Sequence, residues 1–148
     1  MIHLQNAKTM QIKADVLSST AAETSDAVDC KGSHYAVFLI GGEVATATDA
    51  SQTLASLVLK EGDTTSSFAN ITEFVGGTAF TIPVNNDTTA HLAVRFNVDL
   101  RKRKRYLQVS MQANAASSVN TFASVTLGRM NEAPNSATEA GVLTQVTA

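Results

Sequence analysis

Apolar and polar residues alternate with a period of two along most of this chain, and that period predicts strands rather than helices. Ile12, Ala14 and Val16 alternate with Gln11, Lys13 and Asp15, the pattern of a half-buried strand. Residues 18–26 are polar and read as a loop, and a short strand follows at 27–30, stopping at Lys31-Gly32. His34 to Ile40 is almost wholly apolar and rich in strand formers, and it stops at Gly41-Gly42. It is short for a helix, so it predicts a central strand buried on both faces. A strand over 53–60 and a turn over 61–65 come next. Residues 68–74 form a strand or an irregular edge that ends at Gly76-Gly77, and 80–84 a strand that Pro83 confines to an edge or an end. Leu92, Val94, Phe96, Val98 and Leu100 alternate cleanly, as do Leu107, Val109 and Met111, which predicts a hairpin joined by the charged stretch between them. A last strand covers 121–127, and the polar 131–141, with room for a short helix, leads to a terminal strand at 142–146.

Those segments make about eight strands at spacings of roughly 8–15 residues, with no helical period between them. The expected fold is all-β: an antiparallel β-sandwich or jelly roll. At 148 residues one core is expected. The domain should span 11–148, preceded by an arm over 1–10 whose Ile2 and Leu4 order only on a partner. Aromatic residues are 5% of the chain and Trp is absent, so Val, Ile, Leu, Phe and Ala must fill the interior. The single cysteine, Cys30, excludes an internal disulfide framework and a cysteine-rich metal site, and reads as a small buried hydrophobe. No apolar run approaches the ~20 residues that span a bilayer. The first residues lack the layout of a signal peptide. Synthesis in a cytoplasm without membrane association is therefore expected, and the sequons at Asn70 and Asn86 are read as chance.

Charge changes the picture more than composition does. Five of the 11 basic residues are consecutive, Arg101, Lys102, Arg103, Lys104 and Arg105, which leaves six against 13 acidic residues elsewhere. The sequence therefore describes an acidic body with one concentrated positive site, and adjacent cations demand a counter-charge nearby or on a partner. A solvated hairpin tip, a nucleic-acid contact and docking onto an acidic protein surface are the three readings. Only Tyr106 is near enough to stack a base, and an acidic body is repelled by phosphates, so nucleic acid is disfavoured. Docking through Arg101 to Tyr106 is the favoured reading.

Catalytic chemistry has little support. Gly41-Gly42 and Gly76-Gly77 are isolated pairs rather than a phosphate loop. His3, His34 and His91 lie far apart and form no metal-ligand spacing. Asp63, Glu73, Asp87 and Asp99 sit singly around turns instead of as an acid–base couple. Asn85-Asn86-Asp87 lacks the further acidic ligands of a calcium site. No catalytic residue, cofactor or metal is expected, and the chain reads as a non-enzyme.

The segments Tyr35-Ala36-Val37-Phe38, Leu59-Lys60-Glu61-Gly62-Asp63-Thr64, Phe74-Val75-Gly76-Gly77 and Phe96 to Leu107, from about residue 10 onward, resemble small proteins of tailed-phage structural gene clusters, the head decoration or cement proteins. That resemblance implies a β-sandwich or jelly-roll protomer, commonly trimeric. It would sit on the outside of the capsid, over junctions between major capsid protein subunits, and clamp the head against internal DNA pressure. The implied location is the virion surface after synthesis in the host cytoplasm. A glycan- or host-binding module is the alternative, weakened by the shortage of aromatics. A nucleic-acid protein using the basic run ranks below it.

Overall fold

The computed structural model of the chain describes residues 7–17, 21–44, 54–83, 92–114 and 119–128. The described residues form nine strands: β1 (Ala7–Leu17), β2 (Glu23–Thr24), β3 (Val28–Asp29), β4 (Tyr35–Val44), β5 (Leu54–Thr64), β6 (Ser67–Val75), β7 (Leu92–Asp99), β8 (Tyr106–Ala113) and β9 (Val119–Gly128). One sheet has the order β1-β9-β4-β7. The other has the order β2-β8-β5-β6, with β3 also pairing β8. Every strand pairing is antiparallel.

β2 lies against Ser110–Met111 and β3 against Tyr106–Leu107, so the two short strands are pieces of one edge. Counted that way, the pairings nest: β1 with β9, β2/β3 with β8, β4 with β7, and β5 with β6. A chain folded as nested antiparallel pairs and wrapped into two facing sheets is a jelly roll. The sequence-level expectation of an antiparallel sandwich or jelly roll holds.

Alternation fills the space between the sheets. Ala36, Phe38 and Ile40 from β4, Ala123, Val125 and Leu127 from β9, and Val98 from β7 meet Leu57 and Leu59 from β5 and Leu107, Val109 and Met111 from β8, all almost fully buried. Phe74 and Phe80 close one side of the sandwich by packing tilted and edge-on against Phe96, at centroid distances of 5.1 and 5.4 Å. Cys30 is buried as expected, and burial pushes its thiol up to about 12, which keeps it protonated and unreactive.

Several local expectations are corrected. The segments 92–100 and 107–111 are not a hairpin: β7 pairs β4 in one sheet, and β8 pairs β5 in the other. The alternation is identical whether two strands pair edge to edge or face each other across a core, so sequence could not separate the two cases. β4 is central, as expected, but only one of its faces is buried. Tyr35 and Leu39 point outward, with 38% and 42% exposure.

β1 begins at Ala7, so residues 7–10 belong to the sheet and not to an arm. A bulge between Gln11 and Lys13 then inserts one residue and reverses the facing of the rest of the strand. Ile12 stays inside, while Ala14 and Val16 turn outward and Leu17 takes the buried place. The turn expected at 61–65 is instead the end of β5, with the reversal at 65–66. Residues 80–83 form no strand beyond a single bridge from Phe80 to Gly76. The strand expected at 142–146, the helix expected at 131–141, and Ile2 and Leu4 lie outside the described residues.

Candidate functional site: a charged crossover and an outer sheet face

The basic run occupies the crossover that carries the chain from the first sheet to the second. Asp99 ends β7 and accepts from the Arg101 backbone N–H at 3.1 Å, starting a single 3-10 turn over Leu100–Lys102. Leu100 plugs the end of the core, and its N–H donates to the His34 carbonyl at 3.0 Å. The run thus leaves a buried anchor and must pass over the end of the second sheet.

Along that path it meets acid from four strands, β3, β5, β6 and β7. Arg101 forks onto Asp99. Arg103 reaches Glu73 at 3.2 Å and Glu61 at 4.0 Å. Lys104 places its ammonium 2.6 Å from Asp63, and its backbone N–H donates to Glu61 at 3.1 Å. Arg105 grips Asp29 with two hydrogen bonds, 3.0 and 2.6 Å. Glu61 and Asp63 are two residues apart on β5, so one face of that strand supplies both. Among the described residues no carboxylate pairs with Lys102.

Four of the five consecutive cations are therefore paired, and five carboxylates, Asp29, Glu61, Asp63, Glu73 and Asp99, pair with them. The expected counter-charge belongs to the molecule itself, and the acidic body of the sequence is folded around its own positive run. This removes most of the potential that would attract a phosphate backbone. Tyr106 is also occupied, since the Arg105 guanidinium lies 4.8 Å from its ring centroid. A cleft here of about 480 Å³ is lined by His34, Tyr35, Asp99, Arg101 and Gly128, and its acid and base are already paired with each other.

These pairs are mostly exposed and individually weak, but their sum has a pH signature. The hydrogen bonds and charge of Arg105 and Arg101 hold Asp29 and Asp99 below the usual carboxylate range. Glu73 is lowered too, first by a backbone hydrogen bond and then by Arg103. Because the folded-state values are depressed, this stabilisation is present above the ordinary carboxylate pKa of about 4 and is lost as pH falls through the lower folded values. Melting followed by circular dichroism should be flat near neutrality and fall below about pH 4. A variant with Arg101 to Arg105 all changed to Ser should lose that fall, because acid then relieves repulsion among unpaired carboxylates. The same acid sensitivity in both proteins would show that the crossover is not its source.

A second surface escaped the sequence pattern. The outer face of the β1-β9-β4-β7 sheet exposes Val16, Leu39 and Phe122, at 51%, 42% and 45%. Phe122 is opposite Ala14 on β1 and Gly41 on β4, while Leu39 is opposite Ser124 and Val16 opposite Asn120. The three are thus diagonal neighbours across three strands. A side chain at Gly41 would run into the Phe122 ring, so glycine there lets the ring lie flat on the sheet. The charged residues in the outward phase of this sheet are Arg95 and Asp99 on β7 and, by register, Glu43 on β4 opposite Asn120. The available signal was Phe122 standing in the polar phase of Asn120, Ser124 and Thr126. Leu39 was hidden because both phases of its strand are apolar, and Val16 because the bulge reversed it.

No family model matches the chain, and no curated protein matches it either. Among solved structures, it is similar to one of the disulfide-linked pili of Bacillus endospore appendages, with 14% identity over 84% of this chain and 91% of that one, at a TM-score of 0.40. It is also similar to a structure of infectious bursal disease virus, Gx strain, with 7% identity over 92% of this chain and a TM-score of 0.45. This chain spans 33% of that viral chain. The class is set by the strand pairing itself: a jelly-roll β-sandwich whose distinctive features lie on its outside.

Proposed function

We propose that this chain is a structural component of a virion, a head decoration or cement protein of a tailed phage, that binds the outer surface of the major capsid protein lattice without catalysing a reaction. The observation that carries the proposal is the outer sheet face, where Val16, Leu39 and Phe122 stand exposed, with Phe122 set between Ala14 and Gly41 and Leu39 between Ser124 and Arg95. Interface centres are depleted of charge and enriched in aromatic side chains, and a rigid sheet presents them without an ordering cost. The resemblance of residues 35–38, 59–64, 74–77 and 96–107 to phage cement proteins supplies the kind of partner. The charged crossover then stiffens the protomer, and its exposed Lys102 stands at the rim of a contact.

The test is retention on intact particles. Phage heads carrying the protein are purified and its copy number measured, with the wild type expected in stoichiometric amount. The double variant Leu39→Lys, Phe122→Ser should fold normally and lose at least tenfold in retention, since loss of a buried aromatic anchor commonly costs about 2 kcal/mol or more. Absence of the wild type from particles would remove the reading. A glycan-binding module is the second reading, favoured by the exposure of Tyr35 and Phe122. They stand six residues apart along the sheet, roughly 20 Å, too far to stack on one sugar or two neighbouring ones. Binding to host polysaccharide that the double variant abolishes would favour it.

A further inference from the structure

We infer that β7 is an edge through which two copies of this chain join, each β7 pairing antiparallel with its equivalent about a twofold axis at Asn97. The inference is independent of the particle reading and starts from how the sheet edges are treated. An open edge offers unpaired N–H and C=O groups to any other strand, and proteins blunt such edges with bulges, interruptions or short strands.

Three of the four edges here are blunted. β1 carries the bulge between Gln11 and Lys13. β2 and β3 are two-residue fragments. β6 is shifted against β5 both between Val58 and Lys60 and between Glu61 and Thr64. β7 is different: its eight residues pair β4 in unbroken register, from Leu92 opposite Gly42 to Asp99 opposite Tyr35. Among the described residues no strand lies beyond it.

The side chains of this edge complement themselves. Ala93, Arg95, Asn97 and Asp99 face outward, and Val94, Phe96 and Val98 inward. With Asn97 on the twofold, Arg95 lies opposite the partner's Asp99, and Asp99 opposite the partner's Arg95. Phe96 then lies opposite the partner's Val98. Centring the axis on Phe96 or Val98 instead sets Arg95 against the partner's Asn97 or the partner's Arg101, an uncharged or a repulsive pairing. One register keeps inner faces together and brings the partner's Arg95 against an Asp99 that Arg101 already forks, so that the carboxylate bridges two guanidinium groups; directly opposed opposite charges stabilise a strand pair. Arg95 is free to serve it: its Nε is held by Asn97 at 3.0 Å, leaving the terminal nitrogens to reach outward. The contact uses one patch against itself, so it closes as a dimer instead of propagating as a fibre.

Sedimentation of the purified full chain should show a dimer that dissociates on dilution. Arg95→Asp places two carboxylates opposite each other at both symmetric positions and should weaken the dimer roughly tenfold or more while leaving the monomer's melting unchanged, Arg95 being exposed. Asn97→Cys reads the register directly. Cysteines facing each other on the twofold are within disulfide reach, so mild oxidation should yield a covalent dimer, whereas Ala93→Cys, opposite Arg101, should not cross-link. Native Cys30 is buried and does not compete. A monomer at every concentration, a trimer indifferent to Arg95→Asp, or an Asn97→Cys protein that stays monomeric on oxidation would each overturn the inference. None of these outcomes depends on whether the protein binds a capsid.

Discussion

Replacing Phe38 with alanine is expected to lower stability by about 3–5 kcal/mol, the range for removing a large aromatic from a packed core. Phe38 has no exposed surface and is the largest fully buried side chain of the described core. It sits in the middle of β4, opposite Phe96 on one side and Val125 on the other, so its ring touches both halves of its own sheet and faces the second. Backbone paired on both sides cannot collapse into the space left behind, and the cavity persists. Urea unfolding should show a lower midpoint at unchanged slope, together with a melting temperature lower by roughly 10 °C. The adjacent Leu39→Ala, on the outer face of the same strand, should change stability by no more than about 0.5 kcal/mol. Equal losses at the two positions would contradict the one-sided burial of β4.

Gly62→Val is the second large effect, and it reaches the charged crossover through the backbone. Gly62 lies in β5 opposite Tyr106, inside the irregular stretch where β5 and β6 lose register between Glu61 and Thr64. A Cβ there would overlap the Ser67 carbonyl oxygen and come within 3.0 Å of the Thr64 carbonyl oxygen. Both obstacles are backbone, so the strand end must move. Overpacking of this kind costs roughly 1–3 kcal/mol, and more when backbone cannot yield. Movement also displaces Glu61 and Asp63, which flank the glycine and hold Arg103 and Lys104. The variant should therefore be less stable and also more cationic in behaviour, gaining salt-sensitive retention on an anionic resin that the native protein lacks. Loss of stability without that gain would mean the carboxylates stay in place. The glycine would then matter for packing alone.

Much of the fold was legible because it is local. The strands at 11–17, 53–60, 92–100, 107–111 and 121–127 follow from an alternation that any half-buried strand must show, and they add up to a sandwich. The candidate sites were less legible. The run of five cations is visible in any reading, but its significance depended on Asp29, Glu61, Asp63 and Glu73, which lie between 30 and 76 positions away from their partners. Nothing in a linear charge count distinguishes a patch offered to a partner from one already covered.

What the sequence determined by itself is most of the long strands, the all-β class and the identity of most inward positions, since period-two alternation and β-branched content act within a few residues, whereas the two-residue β2 fell within a stretch read as loop. Tertiary structure decided which strands pair, that β7 and β8 belong to opposite sheets, and that the positive run is neutralised within the chain. It also decided, through a one-residue bulge in β1 and a bare Gly41, which apolar side chains remain outside. Strand partners and facing are set by contacts between distant segments, and a single inserted residue reverses them while leaving the local pattern untouched.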